Sequence, residues 1–525
     1  MASVNHPKIE AQAIIEAITD HHAVSDAPEM IGTAHDQKDM YRMGKVQLLR
    51  RNFSFWSIFG FSMILLSTWE TQLGVATLGL LNGGSAGLVI MYLIVLAGMM
   101  TVILSMAEMA SMAPTAGGQY HWVSEFAPIR CQRFLSYIVG WLCVMGWQAG
   151  AASMAFLAGS EIEGLLILNH PEYTYGRTHG TGLVIGVAVI CGLFNTFLAH
   201  KLPTVEKGAL FLHIVGFFGI MIPLLVLAPK KSSHEVFTTF HNNGWSSNGV
   251  SCLVGMVVPV LSLLGADAAT HMSEELKDAS RTLPKAMISS LAINGALGFG
   301  MLLTFLFCLG DMDAALSTPT GFAFIEVFSS GTKSKAAATA MTSIMILLST
   351  LGCITNMASA SRQLFAFARD NAVPFPKFFA HVPSNWQIPL ASIVTTVTIS
   401  TLLSLINIGS SIAFNQICSL GLNALMTSYL ISIACVALKR LRSEPLLNRR
   451  FDLGMWGLVV NITSMLFLAL VFVVCFFPPK PNPEVADMNW AVLIYGAVVI
   501  FAMVWFVVRA RKVYVGPIAY VRSGI

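Results

Sequence analysis

Apolar residues along this chain fall into runs about as long as a bilayer is thick. A helix needs about 20 apolar residues to cross the hydrocarbon core. Twelve stretches reach that length, at residues 53–80, 87–111, 134–159, 181–199, 207–228, 249–271, 286–309, 336–366, 389–407, 412–437, 455–477 and 489–508. Polar and apolar positions do not alternate within them, as the strands of a membrane barrel would require. Gly and Pro punctuate several ends, at Asn82-Gly83-Gly84, at Pro114 with Gly117-Gly118, and at Pro478-Pro479. The pattern predicts an all-α polytopic membrane protein with 12 transmembrane helices.

Composition agrees. Of 525 residues 55% are hydrophobic and only 11% charged, against about 25% charged in a soluble chain. Most of the nine cysteines lie inside apolar runs and none forms a CxxC pair. They read as small packing residues, not as a disulfide framework or a zinc site. The net charge of +4 is not gathered on a soluble domain, so nucleic acid is not indicated as a partner. No nucleophile–base motif, phosphate loop or metal-ligand spacing is present, so no enzyme, cofactor or metal is expected.

Charge placement orients the chain. With twelve spans, 25 of the 31 Lys and Arg residues share one side with both termini, and six, Arg177, Lys230, Lys231, Lys333, Lys335 and Lys480, lie on the other. The positive-inside rule then puts both termini in the cytosol. Met1 to Lys45 is polar and lacks a signal peptide's apolar core. The expected organisation is a disordered cytosolic tail over 1–50, the spans over 51–509 and a cytosolic tail over 510–525.

Strongly polar residues in mid-span are costly and mark a cavity or a partner. The first span carries Ser67-Thr68-Trp69-Glu70-Thr71-Gln72 in an otherwise apolar run. A helix broken there, its freed backbone groups lining a site, accounts for the cluster. The alternative is a set of interhelical hydrogen bonds around a protonated Glu70. The sixth span reads Leu263-Leu264-Gly265-Ala266-Asp267, leading to His271 and Ser273-Glu274-Glu275. Gly265 permits an unwound backbone, and Asp267 supplies a carboxylate. Spans 1 and 6 are five helices apart, and breaks at matching places in two five-helix halves point to an inverted-repeat transporter with a midplane site.

His213, in the fifth span, is either a hydrogen-bonded interface residue or a proton carrier working near neutral pH. Trp69 lies inside the polar cluster, where cation–π attraction would let it hold an ammonium group. Trp147 and Gln148 in span 3 and Thr355-Asn356 in span 8 carry weaker signals, with packing as the blander reading. Glu274 and Glu275, with Arg369-Asp370, form either an inner-gate salt-bridge network or a solvated charged loop.

Three segments resemble the amino acid–polyamine–organocation superfamily, and within it the fungal branch of amino-acid, choline and GABA permeases. They are Ala107-Glu108 through Pro114, Gly117-Gly118 and Tyr120 to Trp122; Gly265 to Glu275 with Pro284; and Ser361-Arg362 through Arg369-Asp370 to Pro374. The resemblance implies a five-plus-five inverted-repeat fold, with a transporter core over 51–437 (spans 1–5 and 6–10) and two additional C-terminal helices over 438–509. It also implies that the unwound segments Ser67 to Glu70 and Leu263 to Asp267 hold the substrate's carboxylate and amine. Thr68-Trp69-Glu70 departs from the Gly-Ser-Gly-like break of prokaryotic-type members, which suits Glu70 to a cation. His213 falls where several relatives place a lysine.

These readings lead to a proton-coupled importer of a small amine-bearing metabolite, such as an amino acid, GABA or choline. Glu70 and Asp267 would face the ammonium, Trp69 would stack over it, and His213 would carry the proton. The plasma membrane is the expected address, with the vacuole or another internal membrane as the alternative. An exporter or exchanger of a specialised metabolite is the competing function, and a non-transporting nutrient sensor a third.

Overall fold

The computed structural model of the chain describes residues 32–517, apart from 44–46, 48, 171, 175, 384–385, 410–411, 486–487 and 515. Most of the tail expected to be disordered, residues 1–31, and residues 518–525 of the C-terminal tail lie outside the described residues. No strand forms among the described residues; one isolated parallel bridge joins Phe53 to Leu276.

The chain runs through α1 (Ala34–Arg42), then α2 (Phe55–Leu66), α3 (Thr68–Gly74) and α4 (Ala76–Leu81). There follow α5 (Gly84–Met112), α6 (Gln119–Phe126), α7 (Gln132–Asn169), α8 (Arg177–Phe197) and α9 (Leu202–Leu227). The next three, α10 (Asn248–Gly255), α11 (Val257–Ser262) and α12 (Ala268–His271), are short. The rest of the bundle is α13 (Ala279–Phe307), α14 (Lys335–Arg369), α15 (Leu390–Ser404), α16 (Ala413–Leu441), α17 (Gly457–Val474) and α18 (Ala491–Trp505), with further short helices in the loops.

Among the described residues, ten helices are long and apolar enough to cross a membrane. In hydrocarbon only a helix satisfies every backbone polar group within its own segment, so each apolar run winds continuously. The two predicted spans that do not are 53–80 and 249–271, the ones with polar residues in their middles.

Helix α7 lies at the centre, against α14 and α16; α5 packs on α13 and α17, α9 on α2, and α8 on α15. Small residues let these helices approach closely. A Cβ on Gly159 of α7 would lie 2.8 Å from the Cα of Val184 on α8. Glu108, at the end of α5, accepts two bonds from Arg440 of α16, at 2.6 and 2.7 Å. Helix α18 is the most exposed, and its outward Val, Leu, Ile and Phe side chains suit contact with lipid.

Candidate functional site

The first span breaks at Ser67, whose φ of 38° and ψ of 48° are left-handed. A serine there is a strained choice, and it divides α2 from α3. The Ser67 amide still bonds Met63, and Thr71 N–H bonds the Ser67 carbonyl at 2.8 Å. The amides opening α3 have no carbonyl one turn earlier in their own helix. In the sixth span the helix stops after Ser262 and resumes at Ala268. Gly265, with φ of 111°, makes the turn between.

The two breaks abut. A Cβ on Gly265 would sit 2.4 Å from Cδ2 of Leu65, so only glycine fits in both conformation and space. Beside them Ser262 Oγ donates to Gln72 Oε1 at 3.0 Å. Between the breaks and helices α7, α14 and α16 lies a cavity of about 70 Å³. Leu65, Leu66, Thr71, Leu264 and Gly265 line it from the broken spans, and Trp147, Ser153, Asn356, Phe414 and Leu425 are among the residues facing them.

Glu70 and His213 meet. His213 Nδ1 lies 2.6 Å from Glu70 Oε1, and both side chains are fully buried. The Trp69 ring stands 5.7 Å from the imidazole and 6.1 Å from Phe217, on the α9 side of α3. Trp69 and Glu70 therefore point toward α9, and neither lines the cavity. Thr68 packs toward α13, its methyl group 2.5 Å from where a Cβ on Gly298 would lie. Ser67 Oγ donates back to the Ile64 carbonyl.

Asp267 is buried behind the second break. Gln119 Nε2 donates to one carboxylate oxygen and the Tyr429 hydroxyl to the other, each at 2.5 Å. The carboxylate is thus tied to α6 and α16 and does not line the cavity, while its neighbours Leu263 and Ala266 are buried. Of the eight residues assigned to substrate from sequence, Ser67 to Glu70, Leu263 and Gly265 to Asp267, only Gly265 lines this cavity. The amine-facing carboxylates expected there are both engaged elsewhere.

At the end of the bundle that carries the N-terminal segment, the acidic and basic residues expected at the gate come together. Arg369 makes a bidentate pair with Glu274, at 2.7 and 2.9 Å, and its guanidinium lies over the Phe365 ring. Arg362 Nε donates to Glu275 at 3.0 Å, and Tyr120 donates to Asp370 at 2.8 Å. The N-terminal segment closes over the same loop. Arg51 reaches the carbonyls of Ser273 and Leu276, and Gln47 that of Glu274. Asp36 accepts the amides of Asp278 and Ala279, at 2.9 and 3.0 Å, at the start of α13, and lies 3.4 Å from Arg51. Burial pushes the Asp36 carboxyl up, but the Ala279 amide, Arg51 and the Thr33 and Asp278 amides outweigh it and hold it below the usual carboxylate range.

Several of these residues were not singled out from sequence. Gln119 and Tyr120 stand in the segment after span 2, and Arg362 in the one after span 8, so the resemblance carried them without giving them a role. Tyr429 left no signal, because a tyrosine in an apolar run reads as packing. Glu161 of α7 and Glu206 of α9 fell just outside the predicted spans, yet both are buried. Thr355 donates to Glu206 at 2.8 Å, whereas neither carboxyl oxygen of Glu161 has a hydrogen-bond partner among the described residues.

Two apposed helix breaks thus lie beside a small cavity, with a buried acid–imidazole contact next to them. Residues 53–501 match the profile of the family described as amino acid permease. A protein of Macrophomina phaseolina whose name assigns it provisionally to amino acid/polyamine transport is 31% identical over 434 residues, 82% of this chain and 96% of that protein. Amino-acid permease 2 of Neurospora crassa is 28% identical over 504 residues, 95% of this chain and 92% of its own. The choline transporter of Saccharomyces cerevisiae is 27% identical over 473 residues, 88% of this chain and 82% of its own. The chain belongs to the amino acid permease family, within the amino acid–polyamine–organocation superfamily, and is a multi-pass membrane transporter, not an enzyme.

Proposed function

We propose that this chain imports a small amine-bearing metabolite, an amino acid or a related organocation, across the plasma membrane in symport with a proton. Both termini then lie in the cytosol, as the distribution of Lys and Arg favours. The observation that carries the reading is the apposition of the Ser67 and Gly265 breaks at the wall of a cavity. Backbone groups freed at such breaks are suited to a polar headgroup, and the names of the relatives fit the same substrates.

The coupling proton is assigned to the Glu70–His213 contact as a unit. A carboxylate and an imidazole 2.6 Å apart, on a broken span and on its neighbour, exchange a proton with little movement. Substrate occupancy at the break shifts α3 and alters that contact, which links the two events. The Glu274–Arg369 and Glu275–Arg362 pairs act as the cytosolic gate, closed in this conformation.

Uptake of radiolabelled amino acids, GABA, choline and a polyamine in permease-deficient yeast, with and without a protonophore, tests the reading. Protonophore-sensitive accumulation of one compound is expected. No accumulation by cells that display the protein at their surface would overturn import.

A further inference from the structure

The cavity carries no charged group. Its polar side chains are Thr71, Ser153, Asn356 and the indole of Trp147. Ser153 donates to the Ala149 carbonyl at 2.8 Å and Asn356 Nδ2 to the Gly352 carbonyl at 3.1 Å, both within their own helices. The rest of the wall is apolar, with Met154, Leu157, Phe414, Leu422 and Leu425 on the side away from the breaks. Of the carboxyls buried nearby, Glu70 is held by His213 and Asp267 by Gln119 and Tyr429, while Glu161, one turn beyond Leu157 on α7, does not line the cavity.

We propose that this cavity receives the side chain of a neutral amino acid with a bulky apolar group, and that it discriminates against lysine, polyamines and choline. The inference rests on the transport reading above and narrows its substrate. The extra ammonium of lysine or a polyamine, or the quaternary ammonium of choline, would have to leave water for a wall with no anion. Desolvating an unpaired ammonium costs more than one aromatic face supplies through cation–π attraction. An apolar side chain meets no such penalty and gains the area it buries.

The space is consistent with that occupant. One water needs about 10–15 Å³ of such space, and the cavity offers about 70 Å³. Gly150 helps to set its size: a Cβ there would meet only Asn356 Oδ1, at 3.3 Å, so side chains larger than glycine would grow toward the cavity wall. Asn356, facing Gly150 across this edge, is the position where polarity is most readily changed.

Binding to the purified full-length protein tests this without requiring transport. Ligand-induced thermal stabilisation and quenching of tryptophan fluorescence would be titrated with leucine, methionine, phenylalanine, lysine, spermidine and choline. At least one of the three apolar amino acids is expected to bind tenfold or more tightly than each cation. A cation that binds equally well, or no binding by any apolar amino acid, would overturn the proposal. Asn356→Asp is expected to shift the leucine-to-lysine preference at least tenfold toward lysine, and Ser153→Asp serves if that variant does not fold; an unchanged preference in a folded variant also overturns it. Leucine that binds but never accumulates in cells would support the cavity's preference and refute proton-driven import, so the two failures are distinguishable.

Discussion

His213 Nδ1 and Glu70 Oε1 lie 2.6 Å apart, both side chains buried from solvent. The contact joins α9 to the broken first span, next to the Ser67 turn. Removing one member of such a buried pair is costly, about 3–5 kcal/mol, because the other is left unmatched. His213→Ala is therefore expected to lower thermal stability and abolish accumulation. His213→Ala combined with Glu70→Gln should recover much of the stability but not the accumulation. Size-exclusion thermostability and uptake in the same cells separate the two effects.

Glu70→Gln alone should uncouple transport. The amide can still bond the imidazole, so folding and substrate exchange between preloaded vesicles are expected to persist. Uphill uptake driven by a pH gradient should fall at least tenfold. Equal loss of both activities would place Glu70 in substrate binding instead.

The Glu274–Arg369 pair predicts reciprocal rescue. Arg369→Glu places two carboxylates together in a buried setting, and transport should be lost or become leaky. Glu274→Arg with Arg369→Glu should restore a measurable fraction of uptake. Exchanging Arg369 with Asp370 should not, because Asp370 answers Tyr120 and not Glu274.

Asp36 provides a pH-dependent test outside the membrane. Its carboxyl is held below the usual range by the Ala279 amide, Arg51 and the other amides, which outweigh burial. The docking free energy that it contributes is therefore present above the unfolded value, about 3.9, and lost as pH falls through the folded one. Asp36→Asn should weaken the protection of α1 against hydrogen exchange at pH 7, with little further loss on acidification. The unmodified chain should keep that protection at neutral pH and lose it only in acid.

Gly265→Ala meets both a positive φ and the Leu65 side chain. Surface expression is expected to drop sharply. Leu65→Ala in the same chain relieves the clash but not the backbone strain, so the rescue should be partial.

The fold was legible wherever composition alone decides it. Ten apolar runs became continuous helices, and the polar residues Ser67 to Gln72 and the Gly265–Asp267 segment marked the two that did not. Partners were harder to read. Glu70 stands out as a mid-span carboxylate, but nothing local shows that it meets a histidine 143 positions away. Asp267 was visible for the same reason, whereas Tyr429, which satisfies it, was hidden in an apolar run. Glu161 was missed because hydropathy ended the third span at 159, while α7 continues to Asn169 and carries that carboxyl inside.

The Leu65–Gly265 contact and the Ser262–Gln72 bond have a mechanical consequence. They tie the first span, on both sides of its break, to the end of α11 and to the break that follows it, so neither helix can tilt alone without losing a close steric fit and a buried hydrogen bond. The pair is expected to move as a single crank. Packed interfaces of this kind hold a few discrete arrangements, not a continuous range. Spin labels on α2 and α11 should accordingly keep an almost constant separation from each other through the cycle, while their distances to α14 fall into separate populations.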